Sequence, residues 1–188
     1  ENLAPDYTDQ PRDGANQFTL EGGLTPACVS YFQQRLCFAN VKDRPDTIFM
    51  SEVSDYQSFQ KSIPTVDDDA IEATLAQGQL NEIRFMVPMR DLLVLTTGAE
   101  HILTGAGRPV TPSNLDASPV SHRGCGTLRP IVIGNVILFK DVSGHIREWL
   151  YEQTSNDYPA SNVSTLASHL FDGYKLTEWD YVSAPTSV

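Results

Sequence analysis

The residues best able to do chemistry in this chain are an acidic run, Asp67-Asp68-Asp69, together with four histidines and three cysteines. Clustered carboxylates suit hard cations such as Ca²⁺ or Mg²⁺. Consecutive residues of an extended chain point to opposite faces, however, so three in a row cannot converge without a loop. No DxDxDG spacing is present, and the run reads as a solvated turn or strand start. Cys28, Cys37 and Cys125 make an odd count with no CxxC pair. Cys28 and Cys37 sit in apolar, strand-like context, which favours buried reduced thiols and a reducing compartment.

His101, His122, His145 and His169 are scattered, and no HExxH or HxH spacing puts two on one face. His122 and Cys125 are three apart in a Gly-rich stretch, but nothing orients them as a nucleophile pair and nothing supplies an oxyanion site. There is no GxSxG elbow. Gly105-Ala106-Gly107 lacks the following Gly-Lys-Ser/Thr of a phosphate-binding loop and reads as a turn. Glu148, Glu152, Glu178 and Asp180 include no pair whose carboxyl separation is set by spacing, as a glycosidase would need. Tyr31, Phe32, Tyr56, Phe59, Tyr174, Trp179 and Tyr181 are read as core or contact residues before sugar- or base-stacking ones. Arg35, Arg84, Arg90, Arg123, Arg129 and Arg147 each lie near acidic residues and are expected in salt bridges within or between subunits. No catalytic, cofactor-binding or metal-binding residue is assigned.

The elements that position these side chains are strands. In the stretch Asp67 to Thr104, Ile71, Ala73 and Leu75 alternate with polar residues. Ile83, Phe85 and Val87 then alternate with Glu82, Arg84 and Met86. Leu92 to Leu95 is a continuous apolar run, and Glu100 to Leu103 closes the unit. Alternation signals a half-buried strand, and a short apolar run between turns suits a strand buried on both faces. The apolar runs beginning at Leu36, Leu92 and Val136 are equivalent, at spacings of about 56 and 44 residues, each after a polar turn and a preceding strand. Four strands per repeat of roughly 40–50 residues is the signature of propeller blades. A series of β-sandwich modules would space similarly. The predicted fold is all-β, with antiparallel four-stranded blade-like repeats in a partial β-propeller.

The repeats are placed at about 25–62, 66–104 and 120–152, with a truncated one from 174. Residues 1–24 are rich in Asn, Asp, Gln, Gly and Pro and read as an extended arm or linker. The 105–127 stretch holds three prolines and four glycines and is expected to be a long polar connection. One short helix is expected, Thr165 to Phe171, capped by Ser164 and ended by Gly173. The chain opens at Glu1 and closes at Val188, where a buried strand is due, so it reads as a fragment of a longer polypeptide. Its 188 residues, 40% hydrophobic, suffice for a core. The formal charge of −11 is unlike a protein that binds nucleic acid by neutralising phosphates. Such acidity fits solubility, or a surface over which DNA slides without sticking. No stretch is long and apolar enough to cross a membrane as a helix, and no signal peptide is recognisable.

The ordered series PACVSYFQQRLCFAN, DTIFMSEVSDYQSF, DDDAIE, NEIRFMVPMRDLLVLTTGAEHIL, VTPSN, RPIVIGNVILF with HIREWLYE, and STLASHLFDGYKLTEWDYVSAPTSV resembles the tail nozzle proteins of tailed bacteriophages. These are also called tail tubular protein B, or stabilisation-type tail proteins. The resemblance runs from Pro26 to Val188. It implies a β-propeller-like body, a hexameric ring below the portal and its adaptor, and a channel that passes genomic DNA without sequence-specific binding. It further implies contacts with the portal adaptor and with tail fibre or spike proteins, assembly in the bacterial cytoplasm, and a place in the virion tail. It carries over no catalytic residue, no cofactor and no membrane association.

Overall fold

A computed structural model describes residues 25–75, 80–150, 160–166 and 176–180. The described chain is all-β, with three antiparallel four-stranded sheets and no α-helix. Sheet 1 takes β1 (Pro26–Phe32), β2 (Arg35–Val41), β3 (Arg44–Met50) and β4 (Ile71–Thr74) in chain order. Sheet 2 takes β5 (Ile83–Pro88), β6 (Leu92–Thr96), β7 (Glu100–Thr104) and β8 (Asp116–Ser121), also in order. Sheet 3 repeats the meander with β9 (Ile131–Ile133), β10 (Val136–Lys140), β11 (Ile146–Leu150) and β12 (Ala160–Asn162). Tight turns set the register. Gln33 and Gln34 join β1 to β2 with φ of 46° and 61°, the left-handed pair that matches the twist of a two-residue hairpin. Gly134, at φ 62°, opens the turn between β9 and β10.

The sheets are blade-like and packed face to face, with sheet 2 in the middle. Cys37 and Ala39 of β2, Ile48 and Met50 of β3 and Ile71 of β4 meet Met86, Leu92, Val94 and Leu103 of sheet 2. On the other side Val87, Leu93 and Leu95 meet Ile137, Phe139 and Trp149 of sheet 3. This explains the sequence of β6. Leu92 and Val94 serve one interface, Leu93 and Leu95 the other, and all four are fully buried. A strand covered on both faces shows a continuous apolar run. β2 and β10 are covered less evenly and alternate. β1 lies beside β5, where the Cys28 thiol donates to the Arg84 carbonyl at 2.9 Å.

Three groupings differ from the sequence reading, one of them β12, which closes sheet 3 from outside the expected 120–152 repeat by pairing with β11. Ile71–Thr74, expected to open the second repeat, closes the first, pairing with β3 as Ile48↔Ala73 and Phe49↔Glu72. Alternation identified the strand but carries no information about its partner. The second sheet takes its fourth strand from 105–127, expected to be connection only: β8 pairs with β7 through Ile102↔Ser118 and His101↔Pro119. Pro119 is tolerated because β8 is an edge strand, where a missing N–H need cost no ladder bond.

The equivalence of the three apolar runs holds: β2, β6 and β10 are each the second strand of a sheet. At the expected cap, the Asn162 carboxamide oxygen accepts the Ser164 N–H at 3.0 Å, and the Ser164 hydroxyl accepts the Ile146 N–H at 3.2 Å. These bonds close the turn that follows β12. Residues 167–171 of the expected helix, the 1–24 arm, and residues 174–175 and 181–188 of the fourth repeat lie outside the described residues.

The double burial of β6 yields a direct comparison. Leu95→Ala removes a side chain fixed between sheets 2 and 3 and is expected to destabilise by about 2–5 kcal/mol in urea unfolding. Val29→Ala, at a position 64% exposed, is expected to cost less than about 0.5 kcal/mol.

Candidate functional site

The acidic run is held by a residue the sequence placed in a salt bridge. Arg35 opens β2 on the face turned toward sheet 2 and is 1% exposed. Its guanidinium donates to carbonyls: Ser51 at 2.7 Å, Asp69 at 2.6 Å and Asp67 at 2.8 Å, with a longer bond to Asp68 at 3.4 Å. Five fixed donors on a planar fork can gather several carbonyls in this way, where an ammonium cannot. Burial pulls the guanidinium pKa down, and neighbouring acids, Asp68 foremost, oppose that.

The Asp69 carboxylate turns inward. It accepts the Ser62 N–H at 3.0 Å, the Ser62 hydroxyl at 2.8 Å and the Val66 N–H at 2.9 Å. Burial pushes this carboxyl up, but the hydrogen bonds and Arg35 outweigh it and hold its pKa below the ordinary value. Asp67 and Asp68 stay exposed. The three carboxylates therefore do not converge, because the loop is ordered through its carbonyls. Among the described residues no three His, Cys, Asp or Glu are grouped to hold an ion.

That loop forms one wall of a cleft of about 900 Å³ where the turns of sheets 1 and 2 meet. Asp67 and Asp68 face Arg90 and Asp91 of the β5–β6 turn, Arg108 and Asn114 of the β7–β8 connection, and Gln33 and Gln34. Gln33 Oε1 accepts the Val110 N–H at 2.7 Å, and the Gln34 carbonyl accepts the Ser54 N–H at 2.9 Å. Backbone strain gathers here. Gln33, Gln34, Ser54 (φ 63°) and Ala106 (φ 55°) all take left-handed conformations, each costing on the order of 1 kcal/mol for a non-glycine residue. The lining mixes charges of both signs with amides and hydroxyls, which suits recognition of a polar ligand. Among the described residues the lining includes no histidine, cysteine or aromatic ring.

A second polar group is buried between sheets 2 and 3. Glu100, on the same face of β7 as Ile102, is fully buried. Its Oε2 accepts the Ser121 hydroxyl and, at 3.4 Å, the Arg123 N–H; its Oε1 has no partner. Burial pushes the carboxyl pKa up, and those bonds only partly offset it. Asp141 and Arg147 form an ion pair at 2.8 Å, with Asp141 also accepting the His145 N–H at 2.8 Å. Arg84 donates to the Cys125 carbonyl at 3.0 Å. Apart from the reading of Glu100 to Leu103 as the strand that closes the second repeat, the sequence assigns nothing here. The signal present is a charge sharing a strand face with Ile102.

The remaining candidates separate. The Cys125 thiol is fully buried and pushed up to about 12, by burial first and then by Glu100, while His122 is exposed. They make no nucleophile pair. Cys28, Cys37 and Cys125 are all free and buried, as the sequence indicates. His101 lies on the sheet-1 face of β7, its pKa pulled down by burial and then by His122. His169, Glu152, Tyr174 and Tyr181 lie outside the described residues. Glu148 is on the outward face of sheet 3, and neither it, Glu178 nor Asp180 lines the cleft. Tyr31 and Tyr56 meet edge-to-face at 5.3 Å on the outward side of sheet 1, and Phe59 stacks on Phe38 at 5.6 Å. Trp179 Nε1 donates to the Arg129 carbonyl at 2.6 Å. No family model matches this chain, and no curated protein matches it.

Two substitutions test these readings. Glu100 is raised in the folded state, so the fold holds its proton more tightly than the unfolded chain does. Its contribution is fully present below the ordinary carboxyl value and is lost as pH rises toward the folded value. Glu100→Gln should therefore raise stability at pH 7 and leave it nearly unchanged below about pH 4. Parallel pH profiles for variant and parent would contradict this. Arg35→Met leaves several carbonyls without donors and is expected to cost about 3 kcal/mol in urea unfolding, with Arg35→Lys recovering only part.

Proposed function

We propose that this chain is a structural part of a bacteriophage virion tail, contributing to a ring-shaped nozzle through which genomic DNA passes. The observation that carries the reading is the stack of three four-stranded sheets with the middle one sealed on both faces. Such a stack resists bending, as the wall of a tube must. Several interior polar groups are also spent on holding the fold: Arg35 on carbonyls, Asp69 on amides, Asp141 on Arg147. The order of motifs from Pro26 to Val188 supports the family, and the net charge of −11 supports a wall that does not retain DNA. In this reading the partners are further copies of the chain in a ring, the portal adaptor, and fibre or spike proteins. DNA passes without sequence-specific contacts.

The cleft of about 900 Å³ favours one second reading, a tail-associated module that grips a host glycan or another tail protein. It lacks the aromatic platform that sugar stacking would favour, so the nozzle reading stands first.

Negative-stain images of the longest natural polypeptide containing this chain should show rings with a central hole. Duplex DNA should not be retained by the protein even at about 50 mM salt. Uniform monomers that persist with co-expressed tail partners would overturn the assembly reading, and binding of a glycan would then favour the second.

A further inference from the structure

Sheets 2 and 3 are joined by a short strap, residues 121–126, which leaves the end of β8 and is bonded to both sheets. On the sheet 2 side the Cys125 N–H donates to the carbonyl of Thr96, the last residue of β6, at 2.7 Å. On the sheet 3 side the Gly126 N–H donates to the Lys140 carbonyl at 2.6 Å, and the Gly124 carbonyl accepts the Val142 N–H at 3.2 Å. Gly124, at φ 74°, lies so close to the β6–β7 turn that a Cβ there would meet the Thr97 carbonyl oxygen at 2.2 Å. Gly124 and Cys125 are buried, while His122 and Arg123 are exposed. The strap is thus pressed against sheet 2 on one side and open to water on the other.

Glu100 ties down the start of this strap. Its Oε2 accepts the Ser121 hydroxyl and the Arg123 N–H, and its buried Oε1 has no partner. On β6, Leu95 stands opposite it. The strap brings Arg123 and the Cys125 thiol near it. Sheet 3 brings Asp141, whose carboxylate is held by Arg147 and the His145 N–H. From β5, Arg84 donates to the Cys125 carbonyl. His122 bears on His101, whose side chain is on the other face of β7. Burial and the charge of Asp141 oppose an ionised Glu100, and Arg123 favours one. A bare carboxylate oxygen in such a place is costly until water reaches it.

We propose that Glu100 is a proton-operated latch on the interface between sheets 2 and 3: while it carries a proton the strap stays seated, and when it loses that proton to solvent it draws in water, frees residues 121–126 and opens the interface locally. Burial raises the carboxyl of the closed state above its ordinary value of about 4.3, so closure is fully favoured below that value. It is lost progressively as pH rises to the folded value and levels off beyond it. The interface between sheets 1 and 2 has no equivalent group. Both oxygens of its buried carboxylate, Asp69, are bonded, and its buried His101 acts in the opposite sense, since burial disfavours the charged imidazole. The latch goes beyond the assembly reading and does not depend on it.

The test is hydrogen exchange on the whole chain, corrected for the intrinsic pH dependence of amide exchange. Protection at Cys125, Gly126 and Val142 is expected to fall by about tenfold between pH 5 and pH 8, while the amides of β2 lose none. Relative to Glu100→Gln, the Cys125 thiol should open to dithiodipyridine over the same range, with Cys28 and Cys37 still shielded. Glu100→Gln cannot ionise and should remove the pH dependence of both readouts; His122→Gln should keep it. A flat profile in the parent overturns the latch, and so does a Glu100→Gln profile parallel to the parent's. Protection lost in all three sheets together is global unfolding and overturns it as well. If Glu100→Gln does not fold, the parent and His122→Gln decide. A fall confined to the strap and sheet 3 in both supports the latch, and its disappearance in His122→Gln assigns the proton to His122 and overturns it.

Discussion

The structure depends on the sealing of one strand. β6 has no face toward water, so its four leucine and valine side chains can be buried only if a sheet lies on each side. Each of those side chains contributes roughly 1.5–3 kcal/mol on transfer from water. That gain is realised only when sheets 1 and 3 are both in place. The three sheets, each a simple four-stranded meander, are therefore bound into one stack by the middle one.

Sealing creates a second constraint. Turns and bulged edges bring backbone carbonyls and charged side chains into the same interior, where each needs a partner. At the sheet 1–2 border the solution is one guanidinium gathering the carbonyls of the acidic loop and of Ser51. At the sheet 2–3 border it is the Asp141–Arg147 pair, with Glu100 left incompletely satisfied. The borders differ in what their surroundings favour: the first holds Asp69 as a carboxylate and opposes protonation of the buried His101, and the second carries a carboxyl whose ionisation is opposed by its surroundings.

These features bear on function in the same direction. Arg35, Asp69 and the Asp141–Arg147 pair are occupied in holding the fold, and the strained turns frame a polar cleft open to solvent. A stiff stack with a polar rim is suited to joining other surfaces.

Much of this was legible in the sequence because burial writes a period into it. The continuous run Leu92 to Leu95 announced a strand covered on both faces, and the alternation at Ile71, Ala73 and Leu75 announced one covered on a single face. The recurrence of such runs gave the number of sheets. What alternation does not encode is the partner. The same pattern in Ile71–Thr74 serves the edge of sheet 1 as well as the start of sheet 2, and only pairing with β3 decides. β8 was hidden because Pro119 reads as a breaker, a rule that fails at a sheet edge. The destinations of Arg35 and Glu100 were beyond reach for a similar reason. Hydrogen bonds from Arg35 to carbonyls in the 51–69 loop depend on where distant backbone lies, and side-chain identity along the chain does not record that. The sequence by itself determined most of the strands and which of their faces are buried; the tertiary structure alone decided the edge strands β8 and β12, which strands pair and which charges meet, because those choices are made between residues far apart in the chain.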